Sequence, residues 1–128
     1  MPNKTETPTT RALIGLRFMR SITQKPRLEV QQLEMLLVCH AHGAPISMQE
    51  LARELSTDVS FVSRNAKGFG AGSRGRRLVA LRIDEDNPRQ RLVELTSDGV
   101  AAMVKLTGII SGTEKLPIVR PIRDVRAK

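Results

Sequence analysis

The chain has 128 residues, enough for one domain with a buried core and too few for two independent ones. Hydrophobic residues make up 40%, which excludes wholesale disorder, yet aromatics are only 2% with neither Trp nor Tyr, so the core must be aliphatic. Lys and Arg number 21 against 13 Asp and Glu, a formal +8, and this excess favours a polyanionic partner, nucleic acid above all, through counterion release.

Residues 1–8, with Pro2, Pro8 and several Thr, read as a loose arm ahead of a domain over 9–112. From Thr9 or Thr10, each a candidate N-cap, the residues Leu13, Ile14, Leu16, Phe18 and Ile22 recur at helical spacing until Pro26 stops them. A second helix is predicted over 27–42, with Val30, Leu33, Leu36, Leu37 and Ala41 on an apolar stripe and Gly43 as its C-terminal stop. Ala44-Pro45-Ile46 is an extended link and a candidate short strand, because the residue before a proline is pushed out of the helical region.

Ser47 precedes Glu50 by the capping-box spacing, and Met48, Leu51, Ala52 and Leu55 follow as a short amphipathic helix. Ser56-Thr57-Asp58 is a polar turn whose Thr57 or Asp58 caps the next helix, expected over 58–67 with Val59, Val62 and Ala66 inward and Phe69 as a further core candidate. Four glycines interrupt 68–77, which reads as a flexible basic loop. Val79, Leu81 and Ile83 then alternate with Ala80 and Arg82, a turn follows at 85–88, and 91–95 alternates again, so a two-stranded hairpin is predicted. Thr96, Ser97 and Asp98 offer caps for a helix with Val100, Met103, Val104, Thr107 and Ile110 on its inner face. The tail over 113–128 holds Pro117 and Pro121, which oppose a regular helix, and five basic residues: Lys115, Arg120, Arg123, Arg126 and Lys128.

Two short helices across a tight turn, then a hairpin, then another helix make a mainly α chain with a small β-hairpin (α+β), the outline of a winged helix-turn-helix. Double-stranded DNA is the partner this outline suggests. Ser60, Phe61, Ser63, Arg64 and Lys67 lie off the apolar stripe of the 58–67 helix, where they can face a major groove. Arg64 and Lys67 suit guanine edges or phosphates, while Phe61 suits either a thymine methyl or a place against the wing. Arg74, Arg76 and Arg77 on the loop fit phosphates, and Arg89 and Arg91, at or just beyond the hairpin tip, fit the minor groove or its phosphates. Charge is distributed accordingly: eight basic residues lie between Arg64 and Arg91, whereas the stretch from Leu28 to Val59 holds one, Arg53, against five acidic residues.

Leu51-Ala52-Arg53-Glu54-Leu55, Val62-Ser63-Arg64, Leu78-Val79 and the run from Asn87 to Gly99 (NPRQRLVELTSDG), in this order, resemble the MarR family of bacterial transcription regulators. The resemblance spans about 28–106. It implies a homodimeric winged-helix regulator, most often a repressor, that binds pseudo-palindromic operators and in many members responds to small phenolic or oxidant signals; no residue here indicates such an effector. Ser60, Ser63 and Arg64 match the family's reading helix, Arg89 its wing arginine, and Leu95-Thr96 with Gly99 the start of its next helix. The chain departs in three places: Asn87 stands where an aspartate usually precedes the wing arginine by two residues, 71–76 looks like an insertion, and the tail lacks the long final helix used for dimerisation.

One cysteine, Cys39, rules out an internal disulfide and suits a reducing cytoplasm, and there is no apolar run of membrane-spanning length or secretory pattern. Cys39, His40 and His42 do not converge on one ion, since successive helical positions diverge by about 100°. Bland structural roles are expected for them, and no metal or cofactor site. No nucleophile triad, phosphate loop or zinc motif suggests an enzyme. Two other readings stay open: a winged-helix module that docks an acidic partner of the transcription or replication machinery, and a centromere-binding or architectural protein coating repeated sites.

Overall fold

The computed structural model describes residues 7–117. The basic tail residues Arg120, Arg123, Arg126 and Lys128 lie outside them. In order the elements are α1 (Pro8–Thr23), α2 (Val30–His42), β1 (Ile46–Ser47), α3 (Met48–Glu54), α4 (Val59–Gly68), β2 (Val79–Ile83), β3 (Arg91–Leu95) and α5 (Ser97–Ser111). No helix among the described residues is long and apolar enough to cross a membrane.

Local caps set most boundaries. Helix α1 starts earlier than the Thr9 or Thr10 cap suggests, because Thr7 Oγ1 accepts the Thr10 N–H at 3.2 Å and Pro8 takes the first helical position, where its missing N–H costs nothing. Helix α2 starts later than 27, because Glu29 is its N-cap and forms a capping box with Gln32; Arg27 and Leu28 therefore stay in the connection. Ser47 Oγ accepts the Glu50 N–H at 3.0 Å and Asp58 Oδ1 the Phe61 N–H at 2.8 Å, so α3 and α4 both start where their capping side chains put them. Between them Ser56 adopts φ 53°, a left-handed position that closes the turn.

The hairpin gains a third strand. Ile46 and Ser47 pair antiparallel with Val93 and Leu92, giving the order β1-β3-β2, with β2 and β3 in register from Val79↔Leu95 to Ile83↔Arg91. Under this sheet the core is aliphatic and Met-rich: Met19, Met35, Leu36, Leu51, Val62, Leu78, Val93, Met103, Leu106 and Ile109 are all fully enclosed.

Two expectations about faces fail. Val59 is 41% exposed, since the first turn of α4 projects past the core and only Val62 and Ala66 of that helix are buried. Of the five residues expected on the inner face of α5, only Met103 is buried; the true inner stripe is Gly99, Ala102, Met103, Leu106 and Ile109, while Val100, Val104, Thr107 and Ile110 are exposed. The cause is close approach at glycines. A Cβ on Gly99 would collide with the Leu78 carbonyl, and one on Gly15 of α1 would lie 3.1 Å from Leu106 Cδ1, so α5 is rotated to lay these small positions against β2 and α1. Arg11 completes that joint by donating to the Ile109 and Glu114 carbonyls at 2.9 and 3.0 Å, near the open end of α5.

Candidate nucleic-acid interface

The surface offered by α4 follows from how its inner side is held. Val62 (0% exposed) and Ala66 (2%) sink into the core, and Phe69 (1%) follows just past the helix end. Residues 60, 64 and 67 are then carried outward on one face by their spacing, and Ser60, Arg64 and Lys67 are all exposed there, with Ser63 half-buried beside them. Phe61 is half-buried and packs on the core.

No local sequence pattern marks the contact between Asn65 and Gln32. Asn65 Nδ2 donates to the Phe61 carbonyl one turn back at 2.8 Å, and its Oδ1 accepts from Gln32 Nε2 at 2.7 Å. Gln32 Oε1 in turn accepts the Glu29 N–H at 2.9 Å. A chain of hydrogen bonds thus keys the roll of α4 to the first turn of α2. The Glu29–Gln32 capping box is a local pairing within one turn, whereas its extension to Asn65 spans 33 positions.

The loop over 68–77 is tethered rather than flexible. Gly72 N–H and Gly70 N–H both donate to the Lys67 carbonyl, at 2.7 and 3.1 Å, Ser73 Oγ bonds the Arg76 carbonyl, and Arg76 N–H reaches back to the Ile22 carbonyl of α1 at 2.9 Å. Leu78 and Val79 then donate to the Phe69 carbonyl at 2.8 and 3.3 Å, tying β2 to the end of α4. Arg74, Arg76 and Arg77 are exposed on this anchored loop.

At the wing, Arg89 is exposed within the turn and Arg91 opens β3, opposite Ile83. Asn87 Oδ1 accepts the Arg89 N–H at 3.3 Å, so an amide oxygen two residues earlier holds the backbone of Arg89 itself; Asp84 Oδ1 does the same for the Asp86 N–H at 3.0 Å. Arg82 pairs with Glu94 at 3.3 Å across the strands, a solvent-exposed ion pair worth little to stability.

Away from this surface, Cys39 is buried and its thiol is pushed up to about 11 by burial. It borders a half-open hollow of about 290 Å³, with His40, Pro45, Glu94, Leu95 and Val100. No group of three His, Cys, Asp or Glu side chains suited to a metal ion occurs among the described residues.

No family model and no curated protein matches the chain. Solved structures do. The Staphylococcus aureus MepR–DNA complex is 15% identical, with TM-score 0.59 over 84% of this chain and 86% of that one. RV1404 from Mycobacterium tuberculosis is 17% identical, with TM-score 0.60 over 82% and 68%. A further MepR structure, described as a transcription regulator of the S. aureus multidrug efflux pump MepA, is 15% identical, with TM-score 0.56 over 88% and 79%. At such identities the likeness establishes the fold, a winged helix with its helix-turn-helix at α3–α4 and its wing at β2–β3.

Proposed function

We propose that the chain is a sequence-specific double-stranded DNA-binding transcriptional regulator, a repressor that works as a homodimer in the cytoplasm. The observation that carries this reading is the outward face of α4, where Ser60, Ser63, Arg64 and Lys67 stand on a helix whose roll is fixed from behind by Asn65 and Gln32. Ser60, Ser63 and Arg64 read base edges in the major groove, Lys67 with Arg74, Arg76 and Arg77 takes phosphates, and Arg89 and Arg91 reach the backbone or minor groove. The MarR-like order of motifs and the fold shared with MepR, one of whose structures is a DNA complex, support the same reading.

The dimer is supported by an apolar face on the packed pair α1 and α5. Leu13 (43%), Leu16 (47%), Val104 (51%) and Ile110 (48%) are exposed there, against the usual burial of such side chains. Sedimentation equilibrium checks it: a mass of twice the 14.2 kDa chain is expected, and Leu16→Glu should shift it toward the monomer.

DNA binding itself is tested by duplex retention against salt. Affinity is expected to fall with a log–log slope near −0.9 per neutralised phosphate. No retention of any duplex at low salt would defeat the reading and favour an acidic protein partner.

A further inference from the structure

Two stretches of the chain, 7–28 and 59–83, contain no acidic residue. The fold brings the end of the first against the second. Gly75 lies so close to the Ile22 and Thr23 backbone that a Cβ there would collide, and Arg76 N–H donates to the Ile22 carbonyl at 2.9 Å. Lys25 stands over the Phe69 ring, 5.4 Å from its centroid, with its Nζ 3.5 Å from where a Cβ would sit on Gly68, the last residue of α4. Arg20 Nε bonds the Pro26 carbonyl at 2.9 Å and steadies the connection between α1 and α2.

We propose that this connection and the docked loop form one rigid basic ridge, made of Arg20, Lys25, Arg27, Arg74, Arg76 and Arg77, that grips the phosphate backbone of the duplex outside the base pairs read by α4. The inference rests on the DNA-binding reading above. All but half-buried Lys25 are exposed, and the ridge begins where the reading face ends. Side chains on a turn and a loop fix little of the geometry that base reading needs, but they neutralise phosphates well, and their anchoring to α1 and to the α4 terminus lowers the ordering cost of doing so. The ridge lengthens the footprint and adds affinity without adding base preference.

The test uses a duplex selected from random sequence, trimmed to the shortest length that keeps its base preference, and the same duplex extended by half a helical turn at each end. The native chain should bind the extended duplex several-fold more tightly and with a steeper salt dependence. Lys25→Gln/Arg27→Gln and, independently, Arg20→Gln should bind the short duplex like the native chain and lose that gain, each removed contact flattening the 50–200 mM salt response by about threefold. Thermal melting of both variants checks that they remain folded, and a variant pair is used so that misfolding of one leaves the other to decide. Equal gains on extension in native and variant chains, or no gain in the native chain, would overturn the ridge while leaving DNA binding intact. Failure of the native chain to hold even the short duplex would instead overturn the underlying reading.

Discussion

Helix α4 and the tip of the β2–β3 hairpin are offered to the same proposed partner but are held in place by different means. The helix is fixed from outside itself, by Val62 and Ala66 in the core and by the Asn65–Gln32 hydrogen bond to α2. The tip, residues 84–90, is fixed by its own hydrogen bonds: Asp84 N–H to the Gln90 carbonyl, Gln90 N–H to Asn87, and the two side-chain acceptors Asp84 and Asn87. Reading a base edge requires a side chain placed to within about 0.5 Å, whereas a phosphate contact tolerates more play. The two regions are therefore built to different tolerances, and each can be loosened separately.

The largest effect is expected where the two regions join. Phe69 is enclosed, and its carbonyl receives both Leu78 and Val79, so Phe69→Ala should cost about 3–5 kcal/mol, read as a large fall in melting temperature that takes helix and wing together. If the chain kept its stability, the joint would not be where the structure puts it.

Next comes the scaffold beneath the helix. Because the Cys39 thiol is pushed up to about 11 from an ordinary 9.0, the folded state keeps a proton that the unfolded state gives up, and the group's contribution is whole below pH 9 and lost as pH rises through 11. Against Cys39→Ala as reference, native stability should therefore drop by about 2–3 kcal/mol over that window, and thiol reagents should react slowly at pH 8 until denaturant is added. Rapid labelling of the folded chain at pH 8 would contradict the burial.

Asn65→Ala is expected to cost about 1–2 kcal/mol and, more tellingly, to blur base preference, since it frees the roll of α4 without touching its outer face. Asn87→Ala should cost under about 1 kcal/mol and weaken all duplexes alike, because it slackens the tip that carries the proposed backbone contacts of Arg89. Competition binding with base-substituted duplexes measures both. If Asn65→Ala and Asn87→Ala changed the base profile equally, the contrast between the two regions would collapse.

What could be read from residues alone were the local signals. Ser47, Asp58 and Thr96 mark helix starts through acceptors three residues from their partners, and the alternation of 79–83 and 91–95 marks strands. What could not be read depended on distant parts of the chain. Periodicity does not give the roll of α5, because Val100, Val104 and Ile110 form an apolar stripe as convincing as Ala102, Leu106 and Ile109; the choice is made by Gly99 against Leu78 and Gly15 against Leu106, where the informative atom is a missing one. The glycine-rich loop suggested freedom for a related reason: at Gly75 the small residue serves a close approach to Ile22, not mobility. The outward positions of α4 were legible from periodicity, while the Asn65–Gln32 bond that holds them lies beyond any local pattern.

The central claim, that the outer face of α4 reads bases, is tested most directly by binding of native and Arg64→Ala chains to a duplex set in which each base pair is changed in turn. The account predicts that Arg64→Ala loses about 1–3 kcal/mol on the preferred duplex and becomes indifferent at one base pair of each half-site, with the other positions unchanged. An Arg64→Ala chain with native affinity and a native base profile would contradict it.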